Sequence, residues 1–151
     1  MKRLALPKLF SFALVLIPLV ADALEMPQPK LGLWEIRMQN SSDGAALTGK
    51  GVTQICRDAA RERLEKTAEE SGKKDCSKYE LRKEGGKWIA NTVCKIDGST
   101  VSTLMTSEFN GEDAYRIDTH STFDPPEDGH SRFRLVMAGK RLGPCKRSSS
   151  S

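Results

Sequence analysis

The sequence predicts a mainly β fold: a curved antiparallel meander or partly open barrel of about seven strands, with one short surface helix and two disulfides. Three observations support it. Apolar and polar residues alternate along most of the chain, turn-forming residues separate these runs, and four cysteines follow an apolar N-terminal segment. Alternation with a period of two is typical of antiparallel strands with one face buried and one face in water.

The N-terminal segment has the features of a secretory signal peptide. A basic start precedes an apolar run over residues 9–20, and small residues follow at Ala21 and Ala23. A membrane span needs about 20 apolar residues, and this run is shorter. We therefore expect residues 1–23 to be cleaved after Ala23, which leaves a periplasmic protein without a stable membrane span.

Residues 24–145 have the length of a single domain, and we expect residues 146–151 to form a disordered tail. Removal of the signal peptide takes away three basic and one acidic side chains, so the net charge falls from +4 to +2. Nucleic-acid binding depends on a basic excess that such a chain lacks. We therefore expect no nucleic-acid partner.

The exported chain holds four cysteines and no C-x-x-C motif. An even number of cysteines in an exported chain predicts disulfides, and three pairings are open. The segment between Cys76 and Cys94 has two alternating runs around a Gly-Gly pair, which predicts a β-hairpin closed by a Cys76–Cys94 bond. The second disulfide is then, by elimination, Cys56–Cys145.

The turn of this hairpin allows two registers. A two-residue loop, Gly85-Gly86, would leave Cys76 one position out of line with Cys94. A three-residue loop that includes Glu84 would place the cysteines opposite each other. Opposed residues have Cα atoms about 4.5–5.5 Å apart, within the disulfide range of about 4.4–6.8 Å, so we prefer the three-residue loop.

The preferred register also assigns the faces of the hairpin. Trp88 shares a face with Cys94. The opposite face carries Tyr79, Leu81, Ile89 and Val93.

The chain before the hairpin predicts two strands joined by a turn at residues 40–44. The apolar face of the first strand carries Trp34, Ile36 and Met38. The second strand ends at Cys56, and two glycines weaken it or cause a bulge.

Residues 58–72 predict one short surface helix, which Asp58 can cap at its start and Gly72 at its end. Its apolar stripe is thin, and we interpret its charges as a solvated face.

Three alternating strands follow the hairpin, over residues 99–109, 114–123 and 131–142. Their polar faces carry arginines, acidic residues and His120, as expected for a sheet with one wet side. Their other faces combine large apolar side chains with hydroxyls; these are Val101, Thr103, Met105, Ser107, Phe109, Tyr115, Ile117, Thr119, Ser121, Phe123, Phe133, Leu135 and Met137.

This inner face allows two interpretations. Its hydroxyls can bond locally within a filled core, or they can supply the few polar contacts of a small cavity for an apolar ligand. The candidate ligand-wall residues, for which core packing is the competing role, are Trp34, Trp88, Met105, Tyr115 and Phe133.

No catalytic, metal or cofactor motif is present in the sequence. His120 shares a strand face with Asp118, but Ser121 is its sequence neighbour and points to the opposite face, so a Ser-His-Asp triad cannot form. We expect no enzyme activity, no metal and no cofactor. A hydrolase or metal enzyme that uses His120 is the least favoured alternative.

Several marks occur in order along the chain: P-x-L-G-L-W-E at residues 29–35, Q-x-C at residues 54–56 before a charged helix, the two middle cysteines, and L-G-P-C-K at residues 142–146. The set resembles the domain-of-unknown-function 3617 family of small exported bacterial proteins. The resemblance implies a periplasmic, disulfide-bonded, mostly β protein of unestablished function. It implies no catalytic residues for this chain. Arg57-Asp58 departs from the Thr-Pro type of helix start that is usual in the family.

We therefore expect a periplasmic, non-catalytic binding or accessory module, whose partner is a small apolar ligand or an envelope protein. The alternative is an envelope structural or stress-related protein without a small ligand.

Overall fold

A computed structural model describes residues 24–145; the predicted signal peptide and the predicted disordered tail lie outside the described residues. Seven strands form one antiparallel sheet in the order β2-β1-β7-β6-β5-β4-β3. The elements in chain order are β1 (Gly32–Ser42), β2 (Thr48–Arg57), α1 (Ala59–Gly72), a 3₁₀ helix (Lys73–Asp75), β3 (Cys76–Glu84), β4 (Lys87–Ile96), β5 (Ser99–Asn110), β6 (Ala114–Glu127) and β7 (His130–Gly143). The prediction of a mainly β, antiparallel fold with one short helix is confirmed.

Two kinds of connection build the sheet. Strands β3 to β7 form a meander in which each strand pairs with its sequence neighbour. The β1–β2 hairpin then adds to the last strand, from Leu33 opposite Gly143 to Ser42 opposite Phe133. Since β2 and β3 are the two edges of the sheet, α1 has to lead from one edge to the other.

The strand registers define an inner face. One row of paired residues crosses five strands through Trp88, Ser107, Ile117, Met137 and Met38. The side of the sheet that carries this row is called the inner face below, and the opposite side the outer face. The alternation expected from the sequence is confirmed, because the predicted apolar sets of β1, β5, β6 and β7 all lie on the inner face.

The core is small. On the inner face Trp34 is 1% exposed and Trp88 is 7% exposed, and Ile36, Ala90 and Val101 are also buried. Aromatic side chains of this size remove about 150–250 Å² each from water, so the two tryptophans dominate the core.

The central hairpin differs from the prediction in its turn. Glu84 lies opposite Lys87, so the loop has two residues, Gly85-Gly86, and not three. Both glycines have positive φ, 53° and 82°, as a type I′ turn requires. The cysteines are nevertheless opposed, because an irregularity between Cys76 and Lys78 shifts the register by one residue.

The two-residue loop also corrects the faces of β3. Tyr79 lies opposite Thr92 and Leu81 opposite Ala90, so both share the face of Trp88 and lie on the inner face. The preferred three-residue loop had placed them on the other side, because a one-residue slip exchanges every side chain between faces.

Both predicted disulfides are present. Cys76 is bonded to Cys94 across the hairpin, and Cys56 is bonded to Cys145 with Cα atoms 5.4 Å apart. The second bond attaches the residues after β7 to the edge strand β2. It therefore joins the first hairpin of the chain to its last described residue.

Candidate functional site

Helix α1 is held over the inner face by polar contacts near each end. At its start Asp58 caps the helix by accepting from the Arg61 amide at 2.9 Å, as predicted. Next to it the buried Arg57 guanidinium donates to Glu65 and to Gln28, each at 3.2 Å, and to the carbonyl of Pro29. These contacts join α1 both to the end of β2 and to the segment before β1.

The other end of α1 is held by charges and an aromatic ring. Lys73 lies 2.7 Å from the Glu69 carboxylate, and its ammonium lies 4.5 Å from the centre of the Tyr79 ring. The Tyr79 hydroxyl approaches the same carboxylate at 3.4 Å. Because Tyr79 lies on the inner face, these contacts place the C-terminal half of α1 over that face.

The helix meets the sheet with carboxylates, not with apolar side chains. Glu65 and Glu69 make the contacts described above, whereas Leu64, the largest apolar residue of α1, is 71% exposed. No residue of α1 is buried. A helix that closes a core normally turns an apolar stripe toward it, so α1 covers the inner face without sealing it.

The inner face is correspondingly incomplete as a core. Its large apolar side chains on β5, β6 and β7 are only half-buried; they include Met105, Phe109, Phe133, Leu135 and Met137. A ligand or partner that covers such a surface gains about 25 cal/mol of binding free energy for each Å² of apolar area removed from water.

A cavity of about 240 Å³ opens beneath the C-terminal end of α1. Tyr79, Thr92 and Ile96 line its sheet side, next to the Cys76–Cys94 disulfide, and Lys73 lies on its helix side. An enclosed apolar cavity of about 150 Å³ can hold benzene; this space has the volume for one small ring or a short alkyl chain, but it is open to solvent, and Glu69 and Asp75 also line it.

The structure places all five candidate ligand-wall residues on the inner face, but none of them lines this cavity. Trp34 and Trp88 pack in the core, and the Trp34 indole donates to the carbonyl of Lys30 at 2.8 Å. Ligand contact by Met105, Tyr115 and Phe133 stays a prediction. The cavity residue Tyr79 was missed because the incorrect hairpin register placed it on the face opposite Trp88; the Gly-Gly pair was the signal that could have placed it correctly.

The inner-face hydroxyls follow the filled-core interpretation in part. Thr103 and Ser121 bond to each other at 3.0 Å, and Ser99 donates to the carbonyl of Pro125 at 3.1 Å. Ser107 is fully buried between Trp88 and Ile117, and its hydroxyl has no hydrogen-bond partner among the described residues.

The Tyr115 ring packs against the backbone of Gly139 on β7, where no side chain intervenes. A Cβ placed on the opposing Gly139 would lie 2.4 Å from the tyrosine ring. The ring also lies 5.5 Å from that of Trp34, centre to centre. Burial, followed by the negative charge of Glu65, raises the pKa of Tyr115 above its usual value, so this hydroxyl stays protonated.

The outer face carries the histidine that sequence reasoning weighed as a catalytic base. Asp118 accepts two bonds from Arg134, at 2.6 and 3.0 Å, and lies 3.2 Å from His120. The hydrogen bond and charge of Arg134 hold the pKa of Asp118 below its usual value. Ser121 lies on the other face, so the structure does not assemble the three groups of a triad.

A second carboxylate–histidine pair joins two turns. Asp43, in the β1–β2 turn, lies 2.7 Å from His130 and accepts from the amides of Ser131 and Arg132, each at 3.0 Å. Chiefly through the histidine hydrogen bond, the pKa of Asp43 falls to about 2. This contact links the β1–β2 turn to the start of β7.

Two further findings concern residues 24–145 alone. No three histidine, cysteine or acidic side chains gather there in a way that could hold a metal ion. No helix in this part of the chain combines the length and the apolar character that a membrane crossing requires.

Comparison with known proteins gives one match. No curated protein and no solved structure matches the chain. Residues 27–145, which include all seven strands and both disulfides, match the family described as protein of unknown function DUF3617. The chain therefore belongs to the DUF3617 family.

Proposed function

We propose that this protein is an exported, non-catalytic binding module that holds a small apolar molecule between α1 and the inner face. The observation that carries the proposal is the mismatch between the two layers: an apolar sheet face lies under a helix that turns carboxylates toward it. A helix selected only to complete a core would bury its apolar side chain, whereas Leu64 is 71% exposed.

The cavity beneath α1 supplies the binding space in this proposal. Its sheet side combines the Tyr79 ring, the Ile96 side chain and a disulfide with the hydroxyl-bearing Thr92, and its volume of about 240 Å³ suits a small ring or a short chain. Half-buried side chains on the neighbouring strands extend the apolar surface beyond the cavity. A longer ligand would cover part of that surface and recover the free energy of its burial.

Export is part of the proposal. Two disulfides within 122 described residues favour an oxidising compartment, because such bonds are rare in reducing cytosol. We expect cleavage after Ala23 and a periplasmic location. The intact mass of the protein recovered from the periplasm tests this, since retention of residues 1–23 would contradict it.

Binding is tested by two-dimensional NMR of the exported chain titrated with toluene, a neutral apolar probe that fits the cavity. We expect the largest shift changes at Thr92, Ile96 and Tyr79. Thr92→Leu fills the cavity and should abolish these changes. Val93→Leu, one residue along on the outer face, is the matched control and should leave them intact.

Two outcomes would reject the binding proposal. One is an absence of saturable shifts at the cavity residues; the other is equal loss of binding in both leucine variants. Either result, together with no stoichiometric small molecule in native mass spectra of protein purified from the periplasm, would favour the alternative of an envelope structural or stress-related protein.

A further inference from the structure

The outer face carries a second depression, of about 380 Å³, on the side of the sheet opposite α1. Its floor contains Val136, which is only 3% exposed, and the small residue Ala138. At the sheet edge it is bordered by Val52, which is 54% exposed, and by Gly49 and Gly51, which place no side chain over it. Because Val136 is almost fully covered, the apolar surface that a ligand can reach on this floor belongs to the half-buried Ala138 and, at the β2 edge, to Val52.

Two guanidinium groups flank this floor. Arg37 of β1 and Arg116 of β6 both pair with Ala138 of β7, one from each side. Adjacent strands are about 4.8 Å apart, so the two arginine Cα atoms are separated by about 10 Å, with only a methyl group between them. Both side chains are long enough to reach a group bound above Ala138.

Arg116 has acidic neighbours: Glu108 lies opposite it on β5, and the charge of Arg116 contributes to the lowered pKa of Asp118. The acidic residues nearest to it on the neighbouring positions are already engaged, Glu108 with Lys87 at 2.8 Å and Asp118 with Arg134 at 2.6 Å. Among residues 24–145, Arg116 has no carboxylate within ion-pair distance. The Nε and Nη2 groups of Arg37 both donate to one carboxylate oxygen of Glu35, at 3.0 and 2.9 Å, and the arginine side chain is 68% exposed. Exposed pairs of this kind are weak, so an anion can compete with Glu35 for Arg37.

We propose that this depression binds an anionic amphiphile, with its phosphate or carboxylate head between Arg37 and Arg116 and a short alkyl portion against Ala138 and Val52. Guanidinium groups bind such heads through paired N–H donors, which makes arginine well suited to phosphates and carboxylates. The apolar floor distinguishes this ligand from a simple anion. The site is on the opposite face from the cavity beneath α1 and does not depend on the function proposed for that cavity.

The test is calorimetric titration of the exported chain, residues 24–151, with octyl phosphate below its micelle concentration. Inorganic phosphate and octanol serve as comparison ligands. We expect octyl phosphate to bind more tightly than either by a factor of about ten or more, and added salt to weaken it, because the head is held by charge.

Three variants locate the site. Arg116→Gln should weaken octyl phosphate binding by a factor of about ten, as expected for loss of a charge-assisted hydrogen bond. Lys66→Gln on α1 makes the same change in net charge away from the depression and should leave affinity unchanged. Ala138→Leu keeps the charge and fills the space between the arginines, so it should also weaken binding.

Several results would overturn the proposal: no binding of octyl phosphate, equal affinities for octyl and inorganic phosphate, or equal weakening in Arg116→Gln and Lys66→Gln. The first would show that no anion site exists, and the second that the apolar floor takes no part. If toluene still shifts the NMR signals of Ile96 when octyl phosphate is bound, the two sites are independent of each other. Either proposal can therefore fail without the other.

Discussion

Removal of the two disulfides one at a time gives the sharpest test of how this fold is held together. The Cys56–Cys145 bond closes a loop of 89 residues, and the Cys76–Cys94 bond a loop of 18. In the chain-entropy model the longer loop contributes about 4.6 kcal/mol to the free energy of unfolding and the shorter about 3.2 kcal/mol. Serine replacement of Cys56 and Cys145 should therefore destabilise the protein more.

The physical reason is that the bond closing the longer loop removes more conformational entropy from the unfolded chain. Without that bond, the β1–β2 hairpin is attached to the remaining strands by the pairing of β1 with β7 and by α1. Small domains have a total stability of about 5–15 kcal/mol, so a loss of about 4.6 kcal/mol removes a large part of it.

Urea unfolding of both double-serine variants and the parent chain, followed by tryptophan fluorescence at 25 °C, measures the two losses. The reverse order, with the hairpin disulfide worth more than the long-range one, would refute the entropic argument. So would a loss below about 1 kcal/mol for both, since removal of a native disulfide from a small domain typically costs about 2–5 kcal/mol.

Three further predictions follow from single contacts. Gly139→Ala should destabilise the fold by about 1–3 kcal/mol, because the new methyl group would lie 2.4 Å from the ring of Tyr115. Gly51→Ala is the control and should be nearly neutral, since nothing lies within 4 Å of its Cβ. Thermal unfolding compares the two variants, and equal losses of stability would contradict the predicted clash. In the folded protein the pKa of Asp43 is lowered from 3.8 to about 2. Its carboxylate therefore stabilises the fold above about pH 4, and this stabilisation is lost as the pH falls toward 2. An NMR titration of the carboxyl group with a midpoint near 3.8 would contradict the lowered pKa. Arg57→Met should speed amide hydrogen exchange in α1 while the sheet keeps its protection from exchange. The reason is that the buried Arg57 guanidinium joins the helix to the segment before β1. Unchanged exchange in α1 would show that other contacts hold the helix.

Sequence reasoning performed well wherever the signal lay within one strand. The alternation around Trp34, Met105 and Phe133 placed each on the inner face, and Asp58 was identified as the helix cap. Each of these inferences uses only neighbours a few residues apart. Local periodicity determines which face a side chain occupies once the segment is a strand.

The hairpin shows where such reasoning failed. The disulfide of Cys76 with Cys94 was correctly predicted from a three-residue loop that does not exist. The real hairpin combines a two-residue glycine turn with an irregularity near Cys76, and the two one-residue shifts cancel at the cysteines. Between the shifts every β3 side chain changes face, so Tyr79, which lines the cavity, was assigned to the wrong side.

By itself, the sequence determined the strands, the faces of most of them, and the helix with its N-terminal cap. Only the tertiary structure decided that β1 lies beside β7, that α1 turns carboxylates toward an apolar sheet, and that Arg37 and Arg116 flank one alanine. The reason is physical: periodicity and turn chemistry act over a few residues, whereas these arrangements join segments up to about a hundred residues apart and depend on which faces and edges remain unpaired after the local hairpins have formed.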